Sequence, residues 1–101
     1  MQINEKTDGP SARLNLAGRF DFHSHRDFRT AYETLLAKAE VREIAIDFGR
    51  VDYLDSSALG MLLLLREKAE AAGKKVKLAN IGGAVKQVLE IANFGKLFTI
   101  E

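Results

Sequence analysis

The chain switches repeatedly between two hydrophobic periods, and the switches mark out its elements. Met1 to Lys6 fits a first, edge-like strand, and Thr7-Asp8-Gly9-Pro10-Ser11 is a turn cluster. Ala12-Arg13-Leu14-Asn15-Leu16-Ala17 alternates apolar and polar residues and predicts a half-buried strand closed by Gly18. From about Ser24 to Ala39 the period lengthens. Phe28, Ala31, Tyr32, Leu35, Leu36 and Ala39 recur at helical spacing as one apolar stripe, and Ser24 with Asp27 predicts a capping box at its start. Glu43 to Phe48 predicts a strand, and Ser56 to Ala72 a second helix stopped by Gly73. Lys75 to Ala79 is a further strand. Gly82-Gly83 precedes a third helix, Ala84 to Ala92, with Val85, Val88, Leu89 and Ala92 inward. Phe94 to Ile100 reads as a turn and a short extended piece, with room for a short terminal strand.

The predicted order is β-β-α-β-α-β-α, an α/β fold with a small mixed β-sheet packed by helices. The first two strands, joined by a turn, pair antiparallel. The later strands alternate with helices and run parallel through right-handed crossovers. Loops after the carboxyl ends of parallel strands gather on one edge of such a sheet. Two are expected there, Arg19 to His23 and Gly49 to Asp55.

Composition narrows the function. A chain of 101 residues suits a single domain, 1–101, and 47% hydrophobic with 29% charged residues is an ordinary globular mixture. Fifteen basic against fourteen acidic residues leave a net charge of +1, which argues against a nucleic-acid partner. Without cysteine there is no thiolate or disulfide chemistry. The N-terminus lacks the apolar segment of a signal peptide. The run Met61 to Leu65 falls far short of the ~18 residues that cross a bilayer. A cytoplasmic protein without direct membrane insertion is expected, though it could dock on a membrane protein.

The richest segment is Asp55-Ser56-Ser57, where a strand hands over to a long apolar helix. A helix N-terminus exposes unpaired N–H groups and the positive end of the dipole, so it holds an anion comfortably. Asp55 is expected at or next to the N-cap, with Ser56 in the first turn and open to solvent. A phosphoserine there carries roughly −1.5 to −2 charges, stabilised by about 0.3–1 kcal/mol. Phosphorylation would therefore leave the fold intact and act on an interface. A like charge about 5 Å away costs roughly 3 kcal/mol at an effective dielectric of ~20. A hundredfold loss of affinity needs only ~2.7 kcal/mol.

On the second helix, Ala58, Met61, Leu62, Leu65, Ala69 and Ala72 share one face, assigned to the core. Leu59 and Leu63 fall on the other side, with Arg66, Glu67 and Glu70. They form either part of a helix buried all round at its start or an apolar docking patch beside Ser56, which could also support a weak homodimer. Asp21, in the other loop, is a cap for the first helix or part of a partner surface. Ser57 is a second acceptor or, preferably, a supplier of helix-terminus hydrogen bonds.

This order, with these residues, resembles the STAS domain, the family of bacterial anti-sigma factor antagonists. Val51-Asp52-Tyr53-Leu54-Asp55-Ser56-Ser57-Ala58-Leu59-Gly60 is similar to the family's Asp-Ser-Ser/Thr-Gly-Leu-Gly phosphorylation motif. Gly18-Arg19-Phe20-Asp21 looks like its Gly-x-x-Asp loop. Gly83 to Leu89, with Phe94 and Leu97-Phe98, looks like its third helix and ending. The chain departs at Ala58, where the family usually has Gly, and it stops at Glu101, short of the further C-terminal helix of many members. The resemblance implies a switch. The unphosphorylated form binds an anti-sigma factor of the GHKL serine-kinase type and frees a sigma factor. The kinase phosphorylates Ser56, and a PP2C-type phosphatase reverses it. Asp21, Asp55, Ser56, Ser57, Leu59 and Leu63 then form the partner surface.

Other readings are weaker. His23-Ser24-His25 offers two ligands without a third and reads as solvated loop, so no metal is expected. No placed base accompanies an exposed serine, so an enzyme is not expected, nor a cofactor: Gly82-Gly83 lacks the Lys-Ser/Thr of a phosphate loop. Lys74, Lys75 and Lys77 read as a solvated turn and strand edge. The second functional class is an accessory subunit, as in the STAS subunits of lipid-transport ABC systems or stress-signalling scaffolds, which clamps a partner without phosphorylation. Asp55-Ser56-Ser57 favours the switch.

Overall fold

A computed structural model describes residues 1–101. β1 (Gln2–Asp8) and β2 (Ser11–Phe20) form an antiparallel hairpin in which Asp8 pairs with Ser11. Gly9, at φ +61°, and the ring-fixed Pro10 are left as the two turn residues, the sign combination of a type II′ turn. A 3-10 turn (Phe22–Ser24) leads into α1 (His25–Leu36), followed by β3 (Glu43–Leu54), α2 (Ser56–Ala71), β4 (Lys75–Ala79) and α3 (Gly83–Ile91). A second 3-10 turn (Phe94–Lys96) and β5 (Thr99–Ile100) complete the order. The sheet has five strands in the sequence β1-β2-β3-β4-β5, antiparallel at β1–β2 and parallel elsewhere. No helix is long and apolar enough to cross a membrane.

The core follows the two periods. Ala12, Leu14 and Leu16 from β2 and Ile44, Ile46 and Phe48 from β3 meet Phe28, Tyr32 and Leu35 of α1. Ala58, Met61, Leu62 and Leu65 of α2 join the same cluster, as do Val85 and Leu89 of α3 and the stacked rings of Phe94 and Phe98. Phe20 packs at 4.8 Å on Phe28, which makes an edge contact with Tyr32. Burying such side chains is worth about 1.5–3 kcal/mol each, which fixes α1 and α2 against the sheet.

Several boundaries differ from the periodicity. β2 does not close at Gly18, nor β3 at Phe48. Both run on to Phe20 and Leu54, so the expected loops Arg19–His23 and Gly49–Asp55 shrink to Asp21 and Asp55. The register explains it. Between Asn15 and Ala17, and again between Gly18 and Arg19, β3 advances one residue more than β2. Gly49, whose N–H meets the Asp47 carboxylate, falls within the first of these bulges, and Gly18 takes φ +99° at the second. The glycines mark bulges in strands that continue. The expected helix Ser24–Ala39 is a 3-10 turn plus α1, and Ala39 lies beyond its end, exposed. Ala72, placed in the core by the helical wheel, is the exposed C-cap of α2.

Lys74 is also not solvated. It is 8% exposed, and its ammonium donates to the carbonyl oxygens of Lys38 (2.7 Å) and Val41. A buried cation here satisfies carbonyls after the end of α1.

Candidate functional site

Two parallel strands end side by side at one sheet edge. Phe20 and Leu54, the last residues of β2 and β3, are register partners, and the N–H of Asp55 donates to the carbonyl oxygen of Phe20 at 3.3 Å. Asp21 and Asp55 therefore leave the sheet from adjacent backbone positions. Each takes an extended conformation and caps the helical turn after it. The Asp55 carboxylate accepts the N–H of Ala58 at 2.9 Å, and the Asp21 carboxylate accepts the N–H of His23 at 3.0 Å. Asp21 thus caps the 3-10 turn and not α1 itself. The Ser24–Asp27 capping box does not form. Ser24 is buried and its hydroxyl donates to the Arg19 carbonyl oxygen at 3.2 Å, tying the turn back to the end of β2.

Ser56 is the first residue of α2 and is exposed; Ser57 follows half-buried. Neither hydroxyl bonds within the protein, so the helix-terminus bond expected from Ser57 comes from Asp55 instead. The remaining N–H groups of the first turn stay available to an anion on Ser56.

The flanks of α2 show where Ser56 faces. Lys68 reaches α1, with its ammonium 3.8 Å from Glu33 and over the Tyr32 ring. On the opposite flank the Arg66 guanidinium donates to the Leu97 carbonyl oxygen at 2.7 Å and pairs with Glu70. At roughly 100° per residue, Ser56 lies about 120° from Lys68 and about 80° from Arg66 across the solvent side. Ser56 is thus near the middle of the free arc. Leu63 lies close to it, 39% exposed, and Leu59 is half-buried towards the Arg66 flank. Leu64, equally exposed, lies on the α1 side. Ser56 and Leu63 share the free arc of α2 two turns apart, Ser57 and Leu59 lie half-buried on either side of it, and Asp55 and Asp21 cap the two adjacent turns at its start.

Three residues escaped the periodicity. Phe22 projects from the 3-10 turn with 68% of its surface exposed, and that turn packs against α2. Arg19 and Tyr53 are register partners whose side chains stack, the guanidinium carbon 4.0 Å from the ring centroid. The Arg19 side chain also lies 3.7 Å from the Asp21 carboxylate. Strand alternation would put Phe20 and Phe22 on one face; the turn at Asp21 separates them, leaving Phe20 in the core and Phe22 in solvent. The extension of both strands to this edge, which pairs Arg19 with Tyr53, leaves no comparable trace in the sequence.

Residues 3–99 match the family described as "Mlab, STAS domain". The STAS-domain containing protein PA14_20770 of Pseudomonas aeruginosa (strain UCBPP-PA14) is 45% identical over 93 residues, covering 92% of this chain and 90% of that protein. The unphosphorylated form of the anti-sigma factor antagonist SpoIIAA superposes with a TM-score of 0.83 at 22% identity, over 99% of this chain and 88% of that one. A sulfate transporter family protein from Wolinella succinogenes shares the fold at a TM-score of 0.73 and 17% identity, over 86% of this chain and 70% of that one. This chain belongs to the STAS domain family and has the fold of the anti-sigma factor antagonists.

Proposed function

We propose that this STAS domain is an anti-sigma factor antagonist governed by phosphorylation of Ser56. Its unphosphorylated form binds an anti-sigma factor of the GHKL serine-kinase type and releases a sigma factor. Phosphorylation at Ser56 blocks that binding, and a PP2C-type phosphatase restores it. The observation that carries this reading is the placement of Ser56: exposed, first in α2, near the middle of its free arc, with the adjacent Asp55 committed to capping. A phosphate there meets the free helix N–H groups, and the cap Asp55 is the one acidic side chain at that turn, so the folded state tolerates it. Leu59 and Leu63, together with Asp21, Asp55 and Ser57, supply the surrounding contact surface. The surface mixes the two leucines with polar caps around the serine, so added negative charge on Ser56 acts directly on the bound partner.

A second reading is a STAS accessory subunit that clamps a transporter or scaffold without phosphorylation. The likeness to a sulfate transporter family protein favours it. An affinity capture from native lysate, wild type against Ser56→Asp, separates the two. Retention of a GHKL-type kinase by wild type and its loss with Ser56→Asp supports the switch. Equal retention of a transporter or scaffold subunit by both overturns it.

A further inference from the structure

We infer that Phe22 is the aromatic anchor of the partner interface, seated in an apolar pocket of the anti-sigma factor; this rests on the antagonist reading above. The ring is exposed although the chain around it is fixed. The Asp21 carboxylate holds the N–H of His23, the Asp21 carbonyl oxygen holds the N–H of Ser24 at 3.0 Å, and the Phe22 carbonyl oxygen holds the N–H of His25. Below the turn, the buried Ser24 hydroxyl is bonded to Arg19. Phe20 and Phe28, on either side in sequence, are fully buried, so the turn sends one of three neighbouring phenylalanines outward on a rigid support. With the backbone beneath it held, docking orders only the ring's own rotamers, and aromatic side chains dominate interface energetics.

The occupant follows from position and charge. The turn packs on α2, and Phe20, two residues before Phe22, accepts the backbone N–H of Asp55, so the ring belongs to the same end of the molecule as Ser56. The two carboxylates beside it, Asp21 and Asp55, are both engaged by backbone N–H groups. A partner approaching Ser56 therefore meets an aromatic ring beside two carboxylates that each already accept a backbone N–H. A partner that seats the ring covers the end of the molecule that carries Ser56, where a phosphate adds negative charge to the interface.

The test is calorimetric titration of the GHKL-type kinase, purified after capture by the wild type, with wild type, Phe22→Ala, Phe22→Leu and Ser56→Asp. Phe22→Ala is expected to bind at least tenfold more weakly with an unchanged melting temperature, and Phe22→Leu to recover part of the loss. Binding by Phe22→Ala within twofold of wild type, while Ser56→Asp is lost, overturns the anchor and leaves the switch standing. A wild-type dimer that Phe22→Ala dissociates assigns the ring to a second copy and also overturns it. If wild type retains no such kinase, the antagonist reading and the anchor fall together.

Discussion

The carboxylate of Asp55 accepts the backbone N–H of Ala58 at 2.9 Å, so the first turn of α2 is closed by the residue immediately before the candidate phosphoserine. One side chain thereby starts the helix and fixes the direction in which Ser56 points. Replacing Asp55 with Ala is expected to cost about 1 kcal/mol, and Asn much less. For a chain of this size that lowers the melting temperature by roughly 4–8 °C. Thermal unfolding of the two variants checks it.

Lys74 tests whether a buried ammonium can close a loop. Lys74→Met keeps the aliphatic stem and removes the donor to the carbonyl oxygens of Lys38 and Val41. The Lys38 carbonyl oxygen keeps the N–H of Val41, but the buried Val41 carbonyl oxygen is left unpaired, at a cost of about 1–3 kcal/mol. Denaturant unfolding should show that loss with an unchanged slope, whereas Lys75→Met, at an exposed position, should stay within about 0.5 kcal/mol of wild type.

Asp47 contributes to the acid limb of stability. Burial alone would raise its pKa, but the Gly49 N–H, Asn80 and the Arg13 guanidinium at 2.7 Å together hold it below the ordinary value. Its unfolded form, with a pKa near about 3.9, takes up a proton first on acidification. The stabilisation is therefore fully present above that value and is lost as pH falls through the folded one. Asp47→Asn should flatten the fall in stability below about pH 4, measured by urea unfolding across pH. An unchanged acid limb would contradict this.

Leu63 separates fold from contact. It is 39% exposed on the solvent side of α2, so Leu63→Asp should change stability by no more than about 1 kcal/mol. Binding of the captured partner should fall at least tenfold. A buried neighbour such as Leu62→Asp should instead unfold the protein, since a charge in the core has no partner.

The element order was legible because the chain honours both hydrophobic periods: alternation through Leu14 and Leu16, helical spacing through Phe28, Tyr32 and Leu35. The position of Ser56 was legible too, from the strand-to-helix change around Asp55. Gly18 and Gly49 misled because a glycine in a bulge and a glycine in a loop look alike in one sequence, and only cross-strand register separates them. Ser24 satisfied a capping pattern, yet the extra 3-10 turn moved its hydroxyl onto the Arg19 carbonyl. Lys74 and Phe22 were invisible for a common reason. A lysine read as solvated is buried by distant carbonyls, and an aromatic spaced to share a face with Phe20 is turned out by one aspartate cap. Neither is encoded within its own segment.

If the switch reading holds, phosphate on Ser56 by itself controls partner binding. The measurement to make is the affinity of the captured GHKL-type kinase for two homogeneous samples, one unmodified and one carrying phosphoserine at position 56. At least a hundredfold weaker binding of the phosphorylated form is expected, equivalent to ~2.7 kcal/mol, with superimposable amide spectra away from the start of α2. Equal affinities for the two samples would contradict the switch.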